Sequence, residues 1–134
     1  MLSLSITDIK AFMAKLLKSE VFDGFDLHSL AIHSFALFEV SKTDAPPKWA
    51  VVRPYAFDIV KGGGLPKTIK AVFSEPDEDM VKFLNIHFEE AKITITTGIS
   101  QKNFSMDKTP HHQWNDHILG FLKSNNIEYI NELS

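Results

Sequence analysis

The sequence predicts an α+β fold in which helices pack on a mostly antiparallel, curved sheet of about six or seven strands. Two segments, about residues 8–18 and 110–125, carry apolar residues at helical spacing. Several other segments alternate apolar and polar residues with the period of a strand. The elements follow the order βαβββ, αβββ, α, which is typical of helices on one side of an antiparallel sheet. The same order would fit a clamp-like duplicated arrangement.

The first two elements are a short strand and the clearest helix of the chain. Leu2, Leu4 and Ile6 alternate with serines, which indicates a strand with one wet face. Thr7 offers a hydroxyl that can cap the helix after it. The apolar stripe that predicts this helix consists of Ile9, Phe12, Met13, Leu16 and Leu17.

The middle of the chain reads as strands. Near the end of residues 27–40, the side chains that would face both sides of a strand are apolar. This favours a central strand covered on both faces, or a strand with a bulge. Residues 49–60 alternate again, and Pro54 among them implies an edge, a bulge or a break. With the glycines at 62–64 as a turn, residues 55–73 are predicted to form a hairpin.

The remaining elements are one short helix, short strands and the second long helix. Acidic residues after Ser74 predict a helix over about 75–83. Alternation then predicts strands around 84–88 and 93–95, and a third carrying Phe104 and Met106. Thr109 and Pro110 signal the start of the last helix.

Composition indicates a single globular domain, residues 1–134, in the cytoplasm. The chain is 44% hydrophobic with eleven phenylalanines, enough apolar surface for one core. The absence of cysteine excludes disulfides, thiolate nucleophiles and cysteine-ligated zinc. Nothing at the N-terminus resembles a signal peptide, and no apolar run is long enough to span a membrane.

Catalytic and cofactor motifs are missing from the sequence. Residues 62–68 resemble a phosphate-binding loop, but Lys61 and Pro66 stand where that motif needs glycine, and a strand rather than a helix is predicted to follow. Neither a Gly-x-Ser-x-Gly elbow nor a His-Glu-x-x-His motif is present. No cofactor is therefore predicted.

Histidines cluster where the last helix begins, and they give one alternative function. His112 and Asp116 are four residues apart, so they share a helix face and could chelate a metal. His111 and Asp107 are the further candidate ligands. The competing interpretation is that all four are solvated polar residues of the first helical turns, and two such residues at helical spacing recur by chance.

Charge is segregated along the chain, which gives a second alternative. Residues 48–70 hold five basic residues and one acidic residue, whereas residues 71–91 hold one basic and six acidic residues. The candidate nucleic-acid or anion contacts in the basic segment are Arg53, Lys61, Lys67 and Lys70. The net charge of −3 disfavours nucleic acid as a partner, and a solvated charged surface is the simpler interpretation.

Several short stretches form a familiar pattern: residues 6–17, 22–23 and 25, 54–57, 59–62, 96–98, 104, 107–109 and 112–115. Together they resemble an uncharacterised domain-of-unknown-function family of Firmicutes. They extend over nearly the whole chain, and Asn115 departs from the family pattern because an acid is expected there. The resemblance implies a stand-alone bacterial protein and no activity, cofactor or catalytic residue.

These observations together favour a non-catalytic binding module over an enzyme. The expected partner is another protein, a peptide or a second copy of the chain. The sequence has no catalytic constellation, many phenylalanines and segregated charge. The alternatives are a metal-binding protein or hydrolase that uses the His/Asp cluster at 107–117, and nucleic-acid binding through the basic hairpin at 48–70.

Overall fold

The computed structural model describes residues 2–41, 44–63, 66–102 and 106–132. Within them the chain forms three helices and seven strands. The helices are α1 (Ile9–Leu17), α2 (Trp49–Gly63) and α3 (Thr109–Ser124). The strands are β1 (Ser3–Ile6), β2 (Asp26–His33), β3 (Leu37–Val40), β4 (Thr68–Pro76), β5 (Met80–Glu89), β6 (Lys92–Gln101) and β7 (Tyr129–Asn131).

The seven strands form one open, curled sheet in the order β3-β2-β4-β5-β6-β1-β7. Every neighbouring pair is antiparallel. The longest ladder joins β5 to β6 through a tight turn in which Glu90 and Ala91 both have positive φ. The predicted fold class, α+β with a mostly antiparallel curved sheet, is confirmed.

The core lies between one face of the sheet and the helices. Along β4, Ile69, Ala71 and Phe73 are buried while Lys70 on the opposite face is exposed, the alternation expected of a strand covered on one side. Phe73 contacts Trp49 at the start of α2 and, through the rings around it, side chains of α1 and α3. All three helices therefore pack on the same face.

The two long helices predicted at 8–18 and 110–125 are confirmed as α1 and α3. In α1 the Oδ1 atom of Asp8 accepts the backbone N–H of Ala11 at 3.0 Å, so Asp8 rather than Thr7 is the N-cap. The C-terminal end of α3 contacts α1. The ammonium of Lys15 on α1 donates to the carbonyl of Asn125, the residue after α3, at 2.6 Å. A cation at a helix C-terminus is favourable because the helix dipole is negative there.

The predicted hairpin over residues 55–73 is wrong, because residues 49–63 form α2. The buried residues Trp49 and Ala56 are seven apart, the spacing of two helical turns, and this periodicity was hidden by the alternation of apolar residues. Pro54 lies within the helix and is exposed, so only one backbone hydrogen bond is forfeited on the solvent side. Gly62 and Gly63 end the helix instead of forming a hairpin turn.

The predicted short helix over residues 75–83 is also wrong, because this segment joins β4 to β5 as a hairpin. The N–H of Asp77 donates to the carbonyl of Met80 at 2.8 Å, and the Oδ1 atom of Asp77 accepts the N–H of Glu78. Aspartate followed by further acids is as suitable for such a turn as for a helix N-terminus. The pairing of the flanking strands decides between the two.

Residues 27–40 form two strands, β2 and β3, rather than one. Ser34 and Phe35 lie in the turn between them, which contains neither glycine nor proline and so carries no strong turn signal. The bulge proposed for this segment is present earlier, between Leu27 and Ser29. Of the third predicted strand, Phe104 lies outside the described residues and Met106 is outside any strand.

A buried chain of hydrogen bonds fixes α3 against the sheet. The hydroxyl of Thr97, which is 2% exposed, accepts the N–H of Leu2 at 3.0 Å and donates to Oδ1 of Asn115 at 2.6 Å. The N–H of Leu2, the hydroxyl of Thr97 and the Oδ1 atom of Asn115 thus each have a hydrogen-bond partner, as buried polar groups require. Asn115, the departure from the family pattern, serves here as an acceptor.

Replacing Thr97 with valine is expected to lower the free energy of unfolding by about 1–3 kcal/mol, because it leaves the N–H of Leu2 and the Oδ1 atom of Asn115 without this partner. Urea unfolding followed by circular dichroism measures the difference. Thr97→Ser, which keeps the hydroxyl, is the control and should lose less. Equal stability of Thr97→Val and the parent protein would contradict the expectation.

Candidate functional site

An apolar groove runs between α1 and α2 and ends at the β5–β6 turn. Its volume is about 820 Å³, and it is open to solvent. Ligand sites commonly have volumes of roughly 300–1,000 Å³. The groove is lined by Ile9, Lys10, Met13, Ala14, Leu17, Lys18, Phe57, Val60, Lys61, Pro66, Phe88 and Ala91.

Helix α1 forms one wall of the groove because its apolar stripe is wider than the core needs. Phe12 and Leu16 are about 1% exposed and point into the core. Ile9 and Met13 are only partly buried and line the groove. The sequence indicated one stripe facing one core, whereas the structure divides that stripe between the core and an open surface.

Helix α2 forms the facing wall and is held in place near its start. The indole N–H of Trp49 donates to the carbonyl of Leu16 at 2.9 Å. One turn further on, the guanidinium of Arg53 makes two hydrogen bonds to the carboxylate of Asp23, at 2.8 and 3.1 Å. Such a two-point pair fixes direction as well as distance, so Phe57 and Val60 keep a defined position opposite α1.

Three of the residues that line the groove are lysines. No acidic group among the described residues lies within salt-bridge distance of Lys10, Lys18 or Lys61. The ammonium groups of Lys18 and Lys61 each lie 5.9 Å from the centroid of the Phe57 ring, within the range of a cation–π contact. The rim of the apolar groove therefore carries three lysines that form no ion pair within the described part of the chain.

A smaller, more polar cleft lies where α3 meets the β4–β5 hairpin. Its volume is about 340 Å³. Trp114 forms its floor: the imidazole of His117 stacks on the indole at 5.5 Å, and the ammonium of Lys82 lies 5.2 Å from the indole centroid. Glu75 and Asp77 line the opposite side. The cleft carries charges of both signs and no nucleophile beside a base.

The candidate metal ligands do not form a ligand set in the described part of the chain. No group of three or more His, Asp or Glu among those residues could hold an ion. His112 and Asp116 are exposed on α3, and His111 is partly buried, its Nδ1 atom having no hydrogen-bond partner. Asp107 accepts the N–H of Thr109 at 2.9 Å, and this hydrogen bond lowers the pKa of its carboxyl.

The candidate basic residues are distributed over two elements instead of one hairpin. Arg53 is paired with Asp23. The hydrogen bond to this carboxylate raises the pKa of the guanidinium, and the negative charge of Asp23 offsets the positive charge of Arg53. Lys61 lies at the rim of the groove, and Lys67 precedes β4. Lys70 is exposed on the sheet face opposite the helices. Only Lys61 among the four lies at the apolar groove.

The groove is not predictable from local sequence patterns. Its walls come from segments about 40 residues apart, and one of them was assigned to a strand. The available signal was Ile9 and Met13 on a helix flanked by lysines, since an apolar stripe broader than one core face leaves surface to cover. No catalytic or cofactor site was predicted.

The structure is that of an α+β protein with an apolar groove between α1 and α2. Residues 75–130 match the sequence model of a family of unknown function (DUF5721). The predicted resemblance to an uncharacterised family is confirmed for this part of the chain, while its Firmicutes origin stays a prediction. No curated protein and no solved structure matches the chain.

The matched segment contains every residue that lines the smaller cleft, but only Phe88 and Ala91 of the groove. The similar segments at 6–17, 22–25 and 54–62 lie outside it. Among the described residues, none of the helices is long and apolar enough to cross a membrane.

Proposed function

We propose that the chain is a non-catalytic binding module that docks a segment of a partner protein in the groove between α1 and α2. The observation that supports this most is the groove itself, an apolar cavity of about 820 Å³ whose rim holds three lysines that form no ion pair with any described residue. Contiguous exposed apolar surface of this kind commonly marks an interaction site.

The free energy for such docking would come from burial of side chains that the fold leaves partly exposed. Ile9, Met13 and Phe57 each pack against the core on one side and border the groove on the other. Covering their exposed parts contributes roughly 25 cal/mol for each Å² of apolar surface removed from water. Methionine is well suited to such a surface because its flexible side chain adapts to different partners.

A peptide segment fits this surface better than a small molecule does. Small-molecule sites are usually concave enough to enclose most of the ligand. This groove is open, and one of its walls follows α1 along its whole length. A peptide segment can lie along such a wall and remain part of a larger protein.

A peptide library displayed on phage tests the proposal without a known partner. We expect selected peptides to bind the folded protein, with affinity measured by fluorescence anisotropy. Met13→Glu should weaken that binding by at least about thirtyfold, the effect of losing a hot-spot contact. Tyr55→Glu is the matched control, because Tyr55 is 69% exposed on α2 and does not line the groove.

Circular dichroism and thermal unfolding of both variants would establish that they fold. The proposal is wrong if no selected peptide binds more tightly than about 100 μM, or if both variants weaken binding equally. A concentration-dependent dimer that only Met13→Glu disrupts, with no peptide binding, would also overturn it. In that case the groove is covered by a second copy of the chain.

A further inference from the structure

We infer that the groove accepts an amphipathic helix of two to three turns whose apolar face is flanked by acidic residues. This inference rests on the proposed function and specifies the class of partner. It is carried by two features of the groove, the geometry of its walls and the position of its charges.

The walls have the geometry of a helix-binding groove. Residues 9, 10, 13, 14 and 17 of α1, together with Lys18 directly after it, line one side as a continuous stripe along the helix. The nine residues of α1 give this wall a length of about 13 Å. An amphipathic helix can lay its anchors at i, i+3 or i+4, and i+7 along such a wall, and two to three turns match its length.

The charges lie where the flanks of a bound helix would run. Lys10 and Lys18 are at opposite ends of the α1 wall, about 12 Å apart along the helix axis. Lys61 stands on the facing wall, with its ammonium near the same Phe57 ring as that of Lys18. A helix lying parallel to α1 would place acidic residues at i and i+7 near Lys10 and Lys18, because seven residues span about 10.5 Å on one face.

The lysines favour an anionic occupant because none of them forms an ion pair with another described residue. The ammonium groups of Lys18 and Lys61 both lie 5.9 Å from the centroid of the Phe57 ring, so one acidic side chain placed beside that ring would attract both. Complementary charge also guides the encounter and discriminates against basic helices. An anionic membrane surface combines the same two chemistries, so binding to anionic vesicles is one outcome of the test.

Matched peptides test the inference directly. The acidic probe is a 14-residue peptide with leucines at i, i+3, i+4 and i+7 and glutamates on the flanks. The basic probe replaces the glutamates with lysines, and a third keeps the acidic composition but has proline at its centre. We expect the acidic helix to bind at least about tenfold more tightly than either control, and its affinity to fall as salt is added.

Charge reversal on the protein provides the second arm. The triple variant K10E/K18E/K61E should weaken the acidic peptide by about tenfold or more, consistent with three exposed ion pairs. The control K70E/K102E/K123E makes the same change in net charge at exposed lysines away from the groove. It should change the affinity by less than about twofold, apart from long-range effects that salt screens.

The outcomes separate this inference from the proposed function. Library peptides that bind in the groove without acidic flanks, or in an extended form, would overturn the inference and leave the binding module intact. No peptide binding at the groove at all would overturn both. The protein could instead bind anionic phospholipid vesicles, lose that binding in K10E/K18E/K61E and show no preference among the peptides. That result would assign the surface to membranes and overturn the inference.

Discussion

Replacing Phe22 with alanine is expected to lower the free energy of unfolding by about 3–5 kcal/mol, the cost of removing a large aromatic side chain from a packed core. Phe22 lies in the loop after α1 and is 0% exposed. Its ring contacts four others, those of Phe12, Phe25, Phe73 and Phe121.

These four rings come from four different parts of the fold, which is why the expected effect is large. Phe12 belongs to α1, Phe73 to β4 and Phe121 to α3, so the ring of Phe22 joins two helices to the sheet. Aromatic pairs at these separations contribute about 0.5–1.5 kcal/mol beyond the area they bury. A loop residue with no element of its own can therefore hold the core layer together.

Urea unfolding measures the effect. Phe22→Leu keeps most of the volume and should cost less than half as much as Phe22→Ala. Tyr55→Ala, which removes an exposed ring, is the surface control and should stay within about 0.5 kcal/mol of the parent. A Phe22→Ala protein as stable as this control would show that the ring cluster does not support the fold.

The sequence predicted those elements in which one periodicity dominates. In α1 and α3 the apolar residues follow the helical repeat, and in β5 and β6 they alternate along the strand. Each of these elements has one buried side, so the spacing of its apolar residues shows which side faces the core. The fold class follows because helices with one apolar side and strands with one apolar side have few ways to pack.

Prediction failed where two patterns coincide or where a signal has two meanings. In α2, Trp49, Val51, Tyr55, Phe57 and Ile59 alternate like a strand, yet Val51 and Tyr55 are largely exposed. The helix is stable because Trp49 and Ala56 are buried by residues distant in sequence, and such tertiary contacts override local preference. In the β4–β5 hairpin, acidic residues suit a turn as well as a helix start.

The groove could not be predicted for the same reason. It depends on α2 being a helix and on the angle at which the Arg53–Asp23 pair and the Trp49 indole hold α2 beside α1. The candidate ligands His112 and Asp116 do share a face of α3, as predicted. Helical spacing places only two ligands on that face. Among the described residues, no third His, Asp or Glu joins them to form a group that could hold a metal ion.

Trp49→Ala is the second substitution expected to have a large effect, again about 3–5 kcal/mol in the free energy of unfolding. The side chain is 1% exposed and packs edge-on against Phe73 at 5.3 Å. Its indole N–H donates to Leu16 at the end of α1, and its backbone N–H donates to Phe25 just before β2. The residue thus joins the start of α2 to both neighbouring segments.

Trp49→Phe separates the two contributions of this side chain. It keeps an aromatic ring in the core but leaves the carbonyl of Leu16 without the indole donor, so a loss of about 1–3 kcal/mol is expected. Since Trp49 also positions the wall that carries Phe57, groove-binding peptides should bind Trp49→Phe more weakly even where it is fully folded. Unchanged stability of Trp49→Phe would mean that packing alone holds α2, and unchanged peptide affinity would mean that the position of the wall does not depend on this hydrogen bond.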